Sequence, residues 1–457
     1  MKRIFTLILS LFVVAASLAQ SPEAVLKSIE QYPNLAVTIG STYPSIPLGE
    51  VAKAPKGFKP FYFSMVGRHG SRYEIEKNLE CYDLLAIFDK AEKLGILTAD
   101  GKALHKQIAE ICKAQTDNNG EISNLGMKQW EGIAQRAYNR FGAIFRSGNL
   151  EAKSSISMRC VLSMVSFNQT IKGLYPKINI YQNSREVELQ MLRPLIDNPY
   201  VSADAKELCK EYRTKGPWRD VRDKWLHSGD ASSFISKIIT NREALVKECG
   251  AESEMNLAYL SSYILLFAEN FEKGDRALLT RLFTPKELYN VYVYKTAMWV
   301  NSFFGRGNEY VEMRQSHMRP LVEDILNKAQ EAIEGKNPNV ANLRFTHDSY
   351  VGPLLSVIGY DGCVPQWSED IEKAATSFNH ALISPMAANL QIVLYRNKKG
   401  EVLVRSLLNE RDAYLPIECE TAPFYPWQEG TGKSGSYGMW NHPRGHVWNV
   451  FVRPASS

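Results

Sequence analysis

The sequence predicts an α/β fold: a large domain with a central sheet flanked by helices, interrupted by an inserted α-helical cap domain. Three observations predict it. Short strand-like runs at 61–66, 152–158 and 342–346 are each followed by a stretch with helical spacing. Each run leads into cationic or titratable residues: Arg68-His69-Gly70-Ser71-Arg72, Arg159 and His347-Asp348. Strand ends at one edge of a sheet are where open α/β folds place their sites. Between about 185 and 335 the strand signals thin out and helical stretches take over, notably 255–271, 286–303 and 316–333.

In chain order, Lys2 and Arg3 precede an almost wholly apolar run from Ile4 to Leu18, with small residues before a cleavage point after Ala19. This is the pattern of a secretory signal peptide over 1–20, so the protein is expected to be exported, to a periplasm or outside the cell. No later run is long and apolar enough to predict a membrane span. Residues 21–60, rich in proline and glycine, read as an irregular leading segment. Leu84, Leu85, Ile87, Phe88 and Ala91 give helical spacing over 79–94. Trp130, Ile133, Ala134, Ala137, Tyr138, Phe141, Ile144 and Phe145 predict an amphipathic helix packed on a sheet. The charged, aromatic stretch Trp218–Trp225 reads as a solvated helix face. Val351–Ile358 reads as a helix with Pro353 in its first turn. Residues 387–395 and 402–405 read as a hairpin around Asn397-Lys398-Lys399-Gly400. The resulting division is 21–184 for the first part of the α/β domain, 185–335 for the insertion, 336–420 for the second part and 421–457 for a C-terminal extension.

Composition narrows the function classes. Of 457 residues 45% are hydrophobic, ample for a large core. Taking Lys2 and Arg3 from the 54 basic residues leaves 52 against 49 acidic ones, a net charge of about +3. No basic tract is interleaved with aromatics, so nucleic acid is not an expected partner. Protein partners and oligomeric state are not indicated. Seven cysteines (81, 112, 160, 209, 249, 363 and 419) are scattered singly, without metal or redox spacing. Up to three disulfides or a set of buried free thiols are both compatible with that pattern. His442 and His446 stand four apart, but Pro443 and Gly445 oppose a helix and no third ligand is evident, so no metal site is expected.

The chemistry concentrates at residues 68–72. Two guanidinium groups four residues apart are costly to hold together unless an anion lies between them, and their forked geometry suits phosphate. Gly70 lets the backbone approach the guest. His69 supplies an imidazole between the two cations, suited to nucleophilic or acid–base work. A His-Asp pair is common by chance; His347-Asp348 gains meaning from standing at a strand end, as His69 and Arg159 do.

These motifs resemble those of the histidine phosphatase superfamily, in its histidine acid phosphatase branch of phytases and multiple inositol-polyphosphate phosphatases. The Arg-His-Gly-x-Arg loop stands at 68–72 and the His-Asp motif at 347–348. Ser154, Ser155, Arg159, Ser163, Phe167 and Gly173 match the intermediate signature. Leu125-Gly126, Gln129 and Gly132, and Ala387-Ala388-Asn389-Leu390, match more weakly. The resemblance spans roughly 60–410, in the family's order. It implies a mainly parallel central sheet with the α-domain inserted between its halves. It also implies that His69 is the catalytic nucleophile, that Arg68, Arg72, Arg159 and His347 bind the substrate phosphate, and that Asp348 is the catalytic proton donor. No cofactor or metal is implied, since cations offset the phosphoryl charge. The chain departs from the family in two places. Tyr73-Glu74 follows Arg72 where many phytases reach proline, and His-Asp stands where the inositol-polyphosphate phosphatases often carry His-Ala-Glu.

The function so implied is a secreted phosphomonoester hydrolase acting through a phosphohistidine on a small, highly anionic substrate, with inositol phosphates such as phytate preferred. Lys215, Arg219, Arg222 and Lys224 of the insertion are candidates to supplement binding. A broad-specificity or sugar-phosphate acid phosphatase is the alternative within the same mechanism. A phosphoglycerate mutase-like transferase fits less well, because that branch tends to carry glutamate where Ser71 stands. A non-catalytic inositol-phosphate-binding protein would lack at least one of the motif residues.

Overall fold

The computed structural model describes residues 20–75, 80–185, 190–192, 199, 201–216, 218–304, 308–365, 370–417 and 419–427. The expected signal peptide, apart from Gln20, and the histidines at 442 and 446 lie outside them. Residues 21–60 are more regular than expected. Ser21 caps and Pro22 opens helix α1 (Pro22–Gln31), which buries Val25 and Ile29, and a 3-10 helix follows at Pro33–Gly40. The prolines that suggested irregularity here start helices instead of breaking them.

Strand β1 (Lys59–Arg68) comes next, then α2 (Glu80–Lys93), α3 (Ala99–Gln115) and α4 (Asn124–Phe145). Strand β2 (Asn149–Ser154) feeds α5 (Met158–Leu174), and β3 (Ile180–Asn183) follows. A helical run then comprises α6 (Ala203–Lys215), α7 (Trp218–His227), α8 (Ser232–Ile238), α9 (Arg242–Cys249), α10 (Ser253–Phe267), α11 (Arg276–Leu282), α12 (Pro285–Phe304) and α13 (Asn308–Ile333). Strand β4 (Asn339–Thr346) precedes α14 (Asp348–Ile358), α15 (Ile371–Thr376) and α16 (His380–Ile383). The expected hairpin closes the series as β5 (Asn389–Arg396) and β6 (Val402–Leu408), with short β7 (Arg411–Ala413) and β8 (Phe424–Pro426) beyond. Helix α14 begins at Asp348, three residues before the expected start, so Pro353 lies past its first turn.

Among the described residues the strands form one sheet, ordered β3-β2-β4-β1-β5-β6-β7, with β8 on β6. The β3-β2-β4-β1 half is wholly parallel, and the remaining strands extend it antiparallel. This α/β architecture is the one the sequence predicts.

Strand β1 lies inside the sheet and is covered on both faces, so nearly every residue from 62 to 68 is buried. Phe63 and Met65 join the core formed with α4 and α5, while Tyr62 and Val66 join the one formed with α13 and α14. Gly67 faces the first of these, and a Cβ there would stand 2.3 Å from the Trp130 ring. A third core binds α2 and α3 to α8–α12. Cys81, Cys112, Cys160, Cys249, Cys363 and Cys419 are free thiols, the first three and Cys363 buried. No helix among the described residues is long and apolar enough to cross a membrane.

Arg344, fully buried in mid β4, reaches Asp324 of α13 at 2.5 Å and donates to the Ser64 hydroxyl of β1 at 3.0 Å. One side chain thus joins a helix and two strands. Removing one partner of such a pair leaves the other desolvated and uncompensated. Arg344→Leu should therefore cost about 3 kcal/mol in urea unfolding, with much of it recovered by adding Asp324→Leu.

Candidate active site

The parallel strands end together at one edge of the sheet, and the loop beyond β1 is held there from several directions. Arg68 donates its backbone N–H to Ala388, and His69 donates to Thr346 of β4 and accepts from Ala387. Ala387 itself has a φ of +54°, which directs the chain over the loop before β5 begins. The Gly70 N–H donates to Ser163 Oγ at 3.0 Å, and that hydroxyl donates to the Arg159 carbonyl. Gln129 grips Ser71 twice: it accepts from the backbone N–H and donates to Oγ, each at 2.8 Å. Ser71 Oγ in turn donates to Asn270 Oδ1. Gly70 and Gly126 have no room for a side chain. A Cβ on Gly70 would lie 2.3 Å from the Gly126 carbonyl oxygen, and one on Gly126 2.2 Å from that of Ser71. These contacts give physical content to the weaker motif matches at Gly126, Gln129 and 387–388.

The candidate residues converge. Arg68 is wholly buried; Nη1 donates to the carbonyls of Ile39 and Ser384, and Nη2 stands 3.2 Å from Asp348 Oδ2. His69 and His347 meet edge-on with ring centroids 5.6 Å apart. His347 follows the last residue of β4 and stands at the N-cap position of α14, and Asp348 is that helix's first residue, its Oδ1 accepting from Ser349 N–H. His347 Nε2 is 3.3 Å from Ser155 Oγ and 3.7 Å from Cys160 Sγ. Arg159 does not end a strand as expected. Strand β2 stops at Ser154, and Arg159 is the second residue of α5, reaching back to the Gly120 carbonyl.

Four guanidinium N–H groups of this cluster are buried and make no hydrogen bond: Nε and Nη2 of Arg68, Nε of Arg72 and Nε of Arg159. Buried donors are nearly always satisfied, so three arginines with spare donors at one strand edge define a place for an oxyanion.

The titratable groups reflect that charge. His69 is held well below the ordinary imidazole range by burial and then by Arg68, Arg159 and Arg72. His347 is pushed down to about 4 by burial, then by Arg159. Both rings are therefore neutral at ordinary pH. Nδ1 of His69 lies 2.9 Å from the Gly70 carbonyl, which only accepts, so Nδ1 carries the hydrogen and Nε2 keeps its lone pair. Burial raises Asp348, but Arg68, Arg72 and His347 outweigh it and keep the carboxyl below its usual range.

Of the insertion's candidate cations, Lys215 pairs with Glu211, and Arg222 is buried over the Tyr294 ring beside Asp223. The solvated face expected at 218–225 therefore excludes Arg222, whose guanidinium packs flat on an aromatic neighbour. None of the four lines the pocket next to Arg68 and Arg72; its walls from the insertion are Tyr263, Phe267 and Trp299. Asn270 and Tyr263 carry no motif, and only the fold brings them to residues 68–74.

Residues 62–409 match the family model for the histidine phosphatase superfamily (branch 2). No curated protein sequence matches the chain. Among solved structures, the Bifidobacterium longum multiple inositol polyphosphate phosphatase complexed with inositol hexasulfate is similar, at 17% identity and a TM-score of 0.68. That match covers 86% of this chain and 95% of the other. The phytase from D. castellii matches at 16% identity and a TM-score of 0.64, covering 86% of this chain and 82% of the other.

Two glycines separate support of the loop from mere presence in a helix. A Cβ on Gly126 meets rigid backbone, whereas one on Gly132 meets the mobile end of Arg136 at 3.0 Å. Gly126→Ala should lower stability by about 1–3 kcal/mol and weaken binding of inorganic phosphate at least about tenfold. Gly132→Ala should leave both nearly unchanged. Thermal unfolding and calorimetric titration with phosphate make the comparison.

Proposed function

The chain belongs to branch 2 of the histidine phosphatase superfamily, the histidine acid phosphatases, and on that premise we propose that it hydrolyses phosphomonoesters of inositol through a phosphohistidine on His69. The observation that carries this reading is the set of guanidinium donors without a hydrogen bond, contributed by Arg68, Arg72 and Arg159, around a neutral imidazole with a free Nε2. The phosphoryl oxygens of the substrate occupy those donors, and the His347 ring adds a further polar edge to the same space. Nε2 attacks phosphorus, the P–O bond to the alcohol breaks, and Asp348 gives its proton to the departing oxygen. Water then attacks phosphorus, Asp348 takes a proton from it, and the P–N bond breaks to return His69 and free phosphate.

Asp348 must be protonated for the first step, although in the free protein its cationic neighbours favour the carboxylate. A bound phosphate brings negative charge among Arg68, Arg72 and Arg159, cancels much of their pull and raises the Asp348 pKa toward the working range. His69 needs no such help, since burial and the arginines keep it neutral well into acid. The expected result is activity that extends below the normal titration range of imidazole and falls as pH rises through the Asp348 value in the complex.

Inositol polyphosphates are the proposed substrates because Arg68 and Arg72 line one pocket together with Tyr263, Phe267 and Trp299 of the helical insertion. The similar Bifidobacterium longum protein holding an inositol hexasulfate supports the same choice. On this reading the signal peptide expected at 1–20 carries the enzyme out of the cytoplasm.

Purified protein given inositol hexakisphosphate, sugar phosphates and p-nitrophenyl phosphate at pH 4–7 should release phosphate, fastest from the first. Release from none of them would sink the enzyme reading; preference for sugar phosphates would redirect the substrate. His69→Ala should cut turnover by about 10³-fold or more with the thermal transition preserved. Asp348→Asn should slow alkyl phosphates far more than p-nitrophenyl phosphate, whose leaving group needs little proton assistance.

A further inference from the structure

Glu74 stands two residues beyond Arg72, where many phytases have proline, and it is neither a surface residue nor part of an ion pair. It is 4% exposed, its Oε1 makes no hydrogen bond, and it lines the pocket that also holds Arg68, Arg72, Tyr263, Phe267 and Trp299. Its backbone is fixed independently of its carboxyl. The N–H donates to Gln115 Oε1, and the carbonyl accepts from the Gln115 side chain and from Gly120 N–H. The loop has thus placed a carboxyl within the substrate pocket and left one oxygen unpartnered. A structural carboxyl this deeply buried would be expected to have its oxygens satisfied.

The groups around it come from four elements. Arg68 and Arg72 face it from the end of β1, Tyr263 from α10, Lys295 from α12 and Glu80 from α2. Lys295 is nearly wholly buried, pairs with Glu80 at 3.2 Å and lies 3.7 Å over the Tyr263 ring. That lysine is therefore committed to Glu80 and the ring. Burial, then the Glu80 charge, raises the Glu74 carboxyl to about 8, against the opposing pull of Lys295 and Arg72. The other titratable groups of the site lie elsewhere on the pH scale. His69, His347 and Asp348 titrate lower, Arg72 is brought down only to about 10, and Tyr263 is pushed well above its usual value.

We propose that Glu74 is a specificity-determining residue: as the acid it donates a hydrogen bond to an anionic oxygen of the substrate body, and as the carboxylate it rejects that oxygen. The proposal rests on the inositol-phosphate reading of the pocket. It assigns the discrimination to the body of the substrate, not to the phosphoryl group being transferred. Multiply phosphorylated substrates are then favoured at neutral and lower pH. Above the Glu74 transition the added negative charge beside Arg68 and Arg72 penalises them, while a monophosphate without a second anionic group is affected much less.

The test separates this inference from the reading beneath it. A hexakis-sulfated inositol is the binding probe, because sulfate esters stay ionised across the range and any pH dependence belongs to the protein. In calorimetry its affinity for the wild type should fall about tenfold or more from pH 6 to pH 9. For Glu74→Gln it should stay flat, within about threefold of the wild-type value at pH 6. Glu80→Gln removes a charge that opposes ionisation and should move the wild-type midpoint to lower pH, a check that leaves Glu74 in place. A flat wild-type profile, or a decline retained in Glu74→Gln, overturns the role of Glu74. Turnover of p-nitrophenyl phosphate by the same samples reports on the phosphatase reading. Turnover with a flat profile refutes Glu74 alone; no turnover of any phosphomonoester refutes both.

Discussion

The Arg68 guanidinium has no solvent exposure, and two of its neighbours are main-chain carbonyls contributed by Ile39 and Ser384, far apart in sequence. Burying a permanent cation is costly, and a single carboxylate at 3.2 Å does not offset three guanidinium groups. Much of the surrounding architecture answers that cost. Backbone carbonyls hold the ends of Arg68 and Arg159, β4 and the 387–388 segment hold the loop from two sides, and Gly70 against Gly126 lets α4 press close behind it. The remaining unsatisfied donors are the part of the cost that a bound phosphate removes. Binding energy for the anion is thus stored in the empty site as incomplete hydrogen bonding.

The same charge sets the acid–base behaviour. Two histidines in an ordinary environment would titrate near pH 6.5 and lose nucleophilicity in acid. Packed against each other and the arginines, both stay neutral far lower. The histidines tolerate acid because cations surround them, and the proposed mechanism needs acid because Asp348 must carry a proton. One electrostatic arrangement serves both requirements.

Much of this was legible in the sequence, for reasons tied to particular residues. The β1 loop is a contiguous motif, so Arg68, His69 and Arg72 are visible together. His347-Asp348 is legible because it directly follows the strand-like run at 342–346. The α/β alternation followed from helical spacing such as that of Trp130 to Phe145. Other features were not. Arg159 is placed by the start of α5, a boundary a few residues from the expected strand end. Residues 21–40 form helices whose prolines sit at first turns, and composition alone cannot tell that from irregular chain. Arg222 looked solvated because periodicity does not reveal that Tyr294 will cover it. Tyr263, Asn270 and Lys295 reach the site only through tertiary packing of the helical run, which carries no local signal.

Strand β1 has one further property. Its two hydrogen-bonded neighbours, β4 and β5, begin at Asn339 and Asn389, some 270 residues or more downstream. The strand leading into His69 therefore has no sheet partner until the helical run has been made. Contacts of such sequence separation close slowly, since the loop entropy is lost before any pairing compensates for it. A growing chain holds residues 68–72 outside any sheet while the helices between them and β4 gather around their own core. Assembly of the phosphate site is consequently a late event in folding, and a chain truncated before β4 would contain the complete Arg-His-Gly-Ser-Arg motif with no chemistry to show for it.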